Sequence, residues 1–229
     1  MRRAAAKIER VALSIAGEAV QEIISDAAAR GYLTRLRAIY ERYETDLERG
    51  FSKHIIQRRA ASAYQYPLYR RFQTLVSNEA RLLNLNPSDH LLFIGSGPFP
   101  ISAILFSQHA NCTVLCFDKD ESAVAAARST LDRLSLSDRI VVARGRGEDT
   151  PVDRFSTAIV AVLARPKEQI LASIFRAAPN CRVICRTTHG LRRILYEPVD
   201  DSILTAYSFR GAVVAQGDQT ISSLLLTRS

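Results

Sequence analysis

The chain has 229 residues, 47% of them apolar and 24% charged. That is enough for one large domain, or a core domain with an appendage, and for a substantial core. The formal charge of +8 raises a nucleic-acid partner. However, the basic pairs Arg2/Arg3, Arg58/Arg59, Arg70/Arg71 and Arg192/Arg193 are scattered among acids such as Glu41, Glu44, Asp46 and Glu48, with no aromatic-interleaved basic strip. A basic surface facing small anionic substrates is expected instead, with no nucleic acid.

The N-terminus, Met1-Arg2-Arg3-Ala4, starts like a signal peptide, but Glu9, Arg10 and Glu18 interrupt any apolar core region. No apolar run approaches the length of a membrane span. A cytoplasmic protein with no membrane partner is the expectation. Ile8, Val11, Ala12, Ile15, Ala19, Ile23 and Ile24 recur at three- and four-residue steps and predict an amphipathic helix over 4–29, closed near Gly31. Further helices are expected over 33–47, ending before Gly50, and over 51–63. A fourth has Pro67 in its first turn and runs through Phe72, Leu75, Val76 and Glu79 to Leu83. Asn84-Leu85-Asn86-Pro87-Ser88-Asp89 is rich in turn formers. It divides a helical N-terminal domain, 1–86, from a second domain, 87–229.

The second domain is organised around Leu91-Leu92-Phe93-Ile94-Gly95-Ser96-Gly97-Pro98-Phe99-Pro100. Four apolar residues read as a buried strand, and two glycines then let the backbone approach a ligand without a Cβ in the way. A helix-like run follows from Ile101. Strand, Gly-x-Gly and helix are how a doubly wound α/β domain holds a nucleotide at the carboxyl end of its first strand. Thr113–Phe117 reads as the next strand and ends in Asp118, roughly 20 residues past the glycines, where a carboxylate can accept from both ribose hydroxyls.

Alternation continues with a helix over 121–134, strands over 140–143 and 156–162, a helix over 167–176 and a strand over 181–185. Ile203–Ala215 and Thr220–Leu226 are β-like runs around Gln216-Gly217-Asp218, read as a hairpin. Five alternating strands closed by a hairpin resemble the Rossmann-like fold of S-adenosylmethionine-dependent transferases. Cys112/Cys116 and Cys181/Cys185 invite a zinc reading. On a strand, though, four residues span roughly 13 Å, too far for two sulfurs to share one ion. Buried hydrophobes are expected at those positions, and His54, His90 and His109 are dispersed.

Phe93 stands where common methyltransferases carry an acid, and Pro98-Phe99-Pro100 replaces their third glycine. Gly95-Ser96-Gly97-Pro98-Phe99-Pro100-Ile101-Ser102 instead resembles the glycine–proline segment of the nicotianamine synthases and related opine-metallophore enzymes. Tyr66-Pro67-Leu68-Tyr69 with Glu79 is similar to that family's Pro-Tyr-Tyr helix, which ends in a glutamate; Leu68 departs from its usual tyrosine. Arg186-Thr187-Thr188-His189-Gly190-Leu191-Arg192-Arg193-Ile194-Leu195-Tyr196 matches its Arg-x-x-x-Gly-x-Arg-x-x-Leu-Tyr run. Ala164-Arg165-Pro166-Lys167 resembles its Ala-Glu-Pro-Lys turn. Together these segments span about residues 64–215.

The resemblance implies a 2-aminobutanoyltransferase that uses S-adenosylmethionine as co-substrate and holds no metal. An amine attacks the Cγ of the methionine portion, and methylthioadenosine is released. It implies Glu79 as the base, with Tyr69 orienting either Glu79 or the acceptor amine. Gly95, Ser96, Gly97, Pro98 and Asp118 would lie at the nucleoside. From the fold rather than from the family segments, Glu148 or Asp149, after the third strand, is expected at the adenine amino group. Arg186, His189, Arg192 and Tyr196 would form the acceptor's surroundings. The acceptor is expected to be a free amino acid, histidine, taking one unit, with glutamate or a second S-adenosylmethionine as its competitor. A homodimer stays open. The rival readings are a methyltransferase acting on a small molecule or RNA, and a non-catalytic binding module.

Overall fold

The computed structural model describes residues 1–14, 19–146 and 155–228. Seven strands form one sheet: β1 (His90–Ile94), β2 (Thr113–Asp118), β3 (Ile140–Arg144), β4 (Thr157–Val160), β5 (Arg182–Thr187), β6 (Tyr207–Val213) and β7 (Ser222–Arg228). Their order is β3-β2-β1-β4-β5-β7-β6. β1 to β5 are parallel, and β7 lies antiparallel between β5 and β6. Parallel strands covered on both faces need apolar side chains throughout. β4, buried at all four positions, and the last four residues of β1 meet that demand. Leu92 of β1 sits opposite Leu115 on one side and Ala158 on the other. The direction of strand addition reverses between β1 and β4, and that switch opens a crevice beyond their carboxyl ends.

Helices α1 (Arg2–Ser14), α2 (Ala19–Ala29), α3 (Tyr32–Ile56) and α4 (Tyr69–Leu83) precede the sheet. Helices α5 (Ile101–Ala110), α6 (Glu121–Arg133) and α7 (Lys167–Ala177) cover it. Residues on both sides of position 86 share one apolar core. In it Phe51, Ile55, Tyr66, Val76 and Leu83 join Leu91, Phe93, Phe99 and Phe106. Tyr66 packs its ring against those of Phe51, at 5.2 Å, and Phe99, at 4.9 Å. Among the described residues, no helix is long and apolar enough to cross a membrane.

Three expectations change. The helix expected over 33–47 and the first part of that expected over 51–63 are one continuous helix, α3, which runs through Gly50 and ends at Ile56. Gly costs a helix interior about 1 kcal/mol relative to Ala, and burial of Tyr40, Phe51 and Ile55 along one face outweighs it. A Cβ at Gly50 would meet nothing within 4 Å, so Gly50→Ala is expected to stabilise the chain by about 0.4–1 kcal/mol. Urea unfolding measures this, and a loss of stability would show a constraint on that glycine. Pro67 lies ahead of α4, whose first residue is Tyr69. The run expected to be β-like from Ile203 begins instead as the short helix α8 (Asp201–Ala206), because the Asp200 side chain caps it by accepting from Ser202 N at 2.8 Å.

α3 passes over the strand ends and is tied down at its far half. Arg49 pairs with Asp120 at 2.8 Å, and Ser52 shares a hydrogen bond with Thr130 of α6. The turn before β1 is fixed by Asp89, which accepts from Asn86 N at 3.0 Å and pairs with Arg182 of β5.

Candidate active site

A cavity of about 620 Å³ opens between α3 and the carboxyl ends of β1, β2 and β4. That volume suits a ligand of nucleoside size with room beyond it. Its floor is the segment from Phe93 to Ser102. Gly95 (φ 82°) and Gly97 (φ 70°) both take the left-handed conformation that favours glycine. The Gly95 N–H donates to the Phe117 carbonyl at 2.8 Å, and a Cβ there would press on Ala161 and Ala164 at 3.2 Å. A Cβ on Gly97 would lie 2.4 Å from Glu48 Oε2. The second glycine therefore admits a carboxylate from α3 as well as a ligand.

Asp118 is held at the end of β2 by two backbone donors, Gly97 N at 2.8 Å and Asp120 N at 2.9 Å. Its remaining lone pairs are available to hydroxyl donors. Beyond β4, the loop 161–166 forms another wall, and Lys167 fixes it. The ammonium donates to the carbonyls of Ala161, Val162 and Ala164 at 2.8, 2.9 and 3.1 Å. Burial lowers this lysine to about 8.

The roof is the acidic face of α3, which presents Glu41, Glu44 and Glu48. Glu44 is buried and accepts the Tyr196 hydroxyl at 2.7 Å. Burial raises its carboxyl to about 7. Glu48, partly open to the cavity, is raised well above the usual carboxylate range. Burial is the first cause, with the Glu44 and Asp118 charges adding to it. Among the described residues, neither Glu44 nor Glu48 has a cation within ion-pair distance. The sequence did hold a signal for Glu44. Tyr40, Glu44, Phe51 and Ile55 follow helical steps, so this glutamate occupies a position whose neighbours are all core residues.

The structure brings together part of the expected site. Gly95, Ser96, Gly97, Pro98, Asp118 and Arg186 line the cavity. Glu148 and Asp149 lie outside the described residues. Glu79 does not line the cavity. It is 0% exposed and holds Arg186 through both oxygens, from Nε at 2.9 Å and Nη2 at 2.8 Å, while the Ser223 hydroxyl bonds Oε1. The reason is sheet register: Arg186 of β5 lies opposite Ser223 of β7, and α4 sets Glu79 against that pair. Arg186 also donates to Ser102 Oγ at 3.0 Å and stacks over Phe93 at 5.2 Å. This cation is fully engaged by the protein.

Tyr69 is likewise away from the cavity, its ring 5.0 Å from that of Tyr64. Arg192 donates to the carbonyls of Gln219 and Gly217 at 2.6 and 3.0 Å. His189 Nδ1 bonds Ser222 Oγ at 2.8 Å. Both serve the C-terminal hairpin and do not line the cavity. Arg193 turns to Gln21 on the exposed side. Tyr196 is fully buried behind Glu44, where it serves as that carboxyl's donor. The four cysteines are free thiols, all buried, and burial raises each of them. Among the described residues, no group of three His, Cys, Asp or Glu is placed to hold a metal.

Residues 11–229 match the family described as nicotianamine synthase protein. The L-histidine 2-aminobutanoyltransferase of Yersinia pestis is 28% identical over 130 residues, which cover 56% of this chain and 48% of that protein. Nicotianamine synthase 2 of Arabidopsis thaliana is 28% identical over 176 residues, 71% of this chain and 55% of its own. The chain therefore spans about half the length of these curated relatives. The crystal structure of MtNAS in complex with MTA and tNA is similar at a TM-score of 0.88 and 28% identity, over 97% of this chain and 86% of that one.

Proposed function

The chain belongs to the nicotianamine synthase family, and we propose that it transfers the 2-aminobutanoyl (3-amino-3-carboxypropyl) group of S-adenosylmethionine to the amine of a free amino acid, releasing methylthioadenosine. The observation that carries this reading is the pair Glu44 and Glu48. They stand one turn apart on α3, line the same cavity as the Gly95–Pro98 segment and, among the described residues, have no cation within ion-pair distance.

The nucleoside would lie along Gly95–Pro98, with its ribose on Asp118. A sulfonium leaves three carbons open to attack, and position alone selects among them. An α-amino group titrates at roughly 8 in peptides and higher in a free amino acid, whose carboxylate stabilises the ammonium, so the incoming amine must lose a proton to react. Glu44, raised to about 7, is close enough in basicity to accept that proton as the N–C bond forms and the C–S bond breaks. Glu48, which a Cβ at Gly97 would strike, is the carboxylate closest to the floor and would face the cationic end of the donor. The base is therefore Glu44 in this reading. Glu79, paired with Arg186 and away from the cavity lining, is assigned to the fold in this reading.

Histidine is the acceptor we propose, taking one unit. An acidic roof receives an acceptor with a second basic group, whereas glutamate would bring another carboxylate against Glu44 and Glu48. Chromatography of S-adenosylmethionine incubated with the chain and L-histidine tests the reaction. Methylthioadenosine and one singly extended histidine are expected. Stoichiometric S-adenosylhomocysteine would reassign the chain to methyl transfer, and a ladder of additions would reject the single-unit product.

A further inference from the structure

Behind Glu44, away from the cavity, lies a crevice of about 10 Å³, lined by Glu44, Arg71, Phe72, Leu75, Thr220 and Ile221. This is space for roughly one water. Arg71 of α4 gives Nη2 to Glu9 Oε1 of α1, and its Nε and Nη1 are buried with no acceptor. A buried guanidinium with two idle donors beside a buried carboxylate would ordinarily close onto it, because charge-assisted bonds are the strong ones. Here it does not.

What holds it off is Glu9. That carboxylate is engaged at both oxygens, by Arg71 at Oε1 and by the Tyr40 hydroxyl at Oε2, 2.9 Å away. The Tyr40 ring stands edge-on to Tyr196, with centroids 5.4 Å apart. Tyr196 in turn gives Glu44 a neutral hydrogen bond where an ion pair would otherwise form. The Glu9–Arg71 pair is only 17% and 15% exposed, so solvent does little to screen it.

We propose that Glu9 is a positioning residue for the cavity base: by fixing Arg71 toward α1, it keeps that guanidinium off Glu44 and leaves the carboxylate basic. This rests on the assignment of Glu44 as the base. Among the described residues, the charged and titratable groups that face Glu44 are Glu41, Glu48 and Tyr40 on α3, Glu9 on α1, Tyr66 ahead of α4, Arg71 on α4, and Tyr196 beyond the Gly190–Ile194 turn. Of these Arg71 is the cation, and a closer approach would strengthen the pull it already exerts on Glu44. Burial and the neighbouring acids push Glu44 up, whereas Arg71 and the Tyr196 hydrogen bond pull it down.

The test titrates Glu44 directly, without donor or acceptor, so it stands apart from the success of the transfer assay. The chain is labelled with ¹³C at its glutamate carboxyls, and the Glu44 resonance is assigned as the one lost in Glu44→Gln. In the parent, the midpoint is expected near neutrality. In Glu9→Gln, Arg71 swings to Glu44, and the midpoint should fall by about one unit or more. In Glu9→Gln/Arg71→Gln the fall relative to Arg71→Gln alone should be much smaller, since only the Glu9 charge itself is then lost. An unchanged midpoint in Glu9→Gln overturns the inference. So does an equal fall in the Arg71→Gln background, which would mean that Glu9 acts by its own charge. A Glu9→Gln chain that fails to fold also overturns it, because Arg71 would then be stranded and not re-paired.

Discussion

Glu79→Gln is expected to cost the fold about 3–5 kcal/mol, the usual loss when one partner of a buried ion pair is removed. The reason lies in what remains. Arg186 is 3% exposed, stacked over the Phe93 ring, and among the described residues no other carboxylate lies within ion-pair distance. A glutamine can accept one of its two forked bonds but cannot neutralise the charge, and the Ser223 hydroxyl must also be re-accommodated. Urea unfolding at neutral pH measures the loss. Glu79→Leu/Arg186→Met should recover most of it, since replacing both partners by apolar groups of similar volume removes the stranded cation. If Glu79→Gln kept the parent's stability while turnover collapsed, Glu79 would be acting on the substrate and the assignment of Glu44 would fall.

This glutamate shows how far sequence reading reached. Its place on the apolar face of α4 was legible from the steps of Phe72, Leu75 and Val76, and so was its burial. Its partner was not, because the Arg186 contact depends on β5 and β7 lying side by side, with Arg186 opposite Ser223. That register is a fact about pairing between distant segments, which local periodicity does not encode. The Rossmann-like order was legible for the opposite reason. Each apolar strand is bounded by its own turn formers, and Gly95-Ser96-Gly97 with Asp118 marks the ligand edge within some twenty residues. Glu44 was missed because Gly50 was read as a break. Once α3 is cut there, its acids look like a solvated face. Seen as one helix with Phe51 and Ile55, the same acids fall over the strand ends. Arg192 and His189 show a third limit of local reading. They do lie just beyond β5, as their spacing implies, but the C-terminal hairpin takes up their donors.

Glu44→Gln should behave in the opposite way, and the contrast separates a structural from a chemical glutamate. The glutamine still accepts from the Tyr196 hydroxyl but cannot take a proton, so kcat/KM for methylthioadenosine release should fall roughly 10²–10⁴-fold. The pH dependence carries a sign. The Glu44 carboxyl of the folded chain is raised to about 7 from an ordinary value of 4.5. Its contribution to stability is therefore fully present below about pH 4.5 and is lost as pH rises through about 7, because ionising it in place is costly. Above that window, Glu44→Gln removes a buried charge. It should be more stable than the parent at pH 8, by about 2–3 kcal/mol as an order of magnitude, and equal to it near pH 4.5. The parent's kcat/KM should rise with pH to a plateau, with an acidic limb near 7 where the base loses its proton. The residual rate of Glu44→Gln should lack that limb. Measuring thermal unfolding and kcat/KM across pH 5–9 for both chains decides the matter. A Glu44→Gln chain with the parent's turnover, or one that retains the same acidic limb, would remove Glu44 from the chemistry and leave Glu48 as the carboxylate to test.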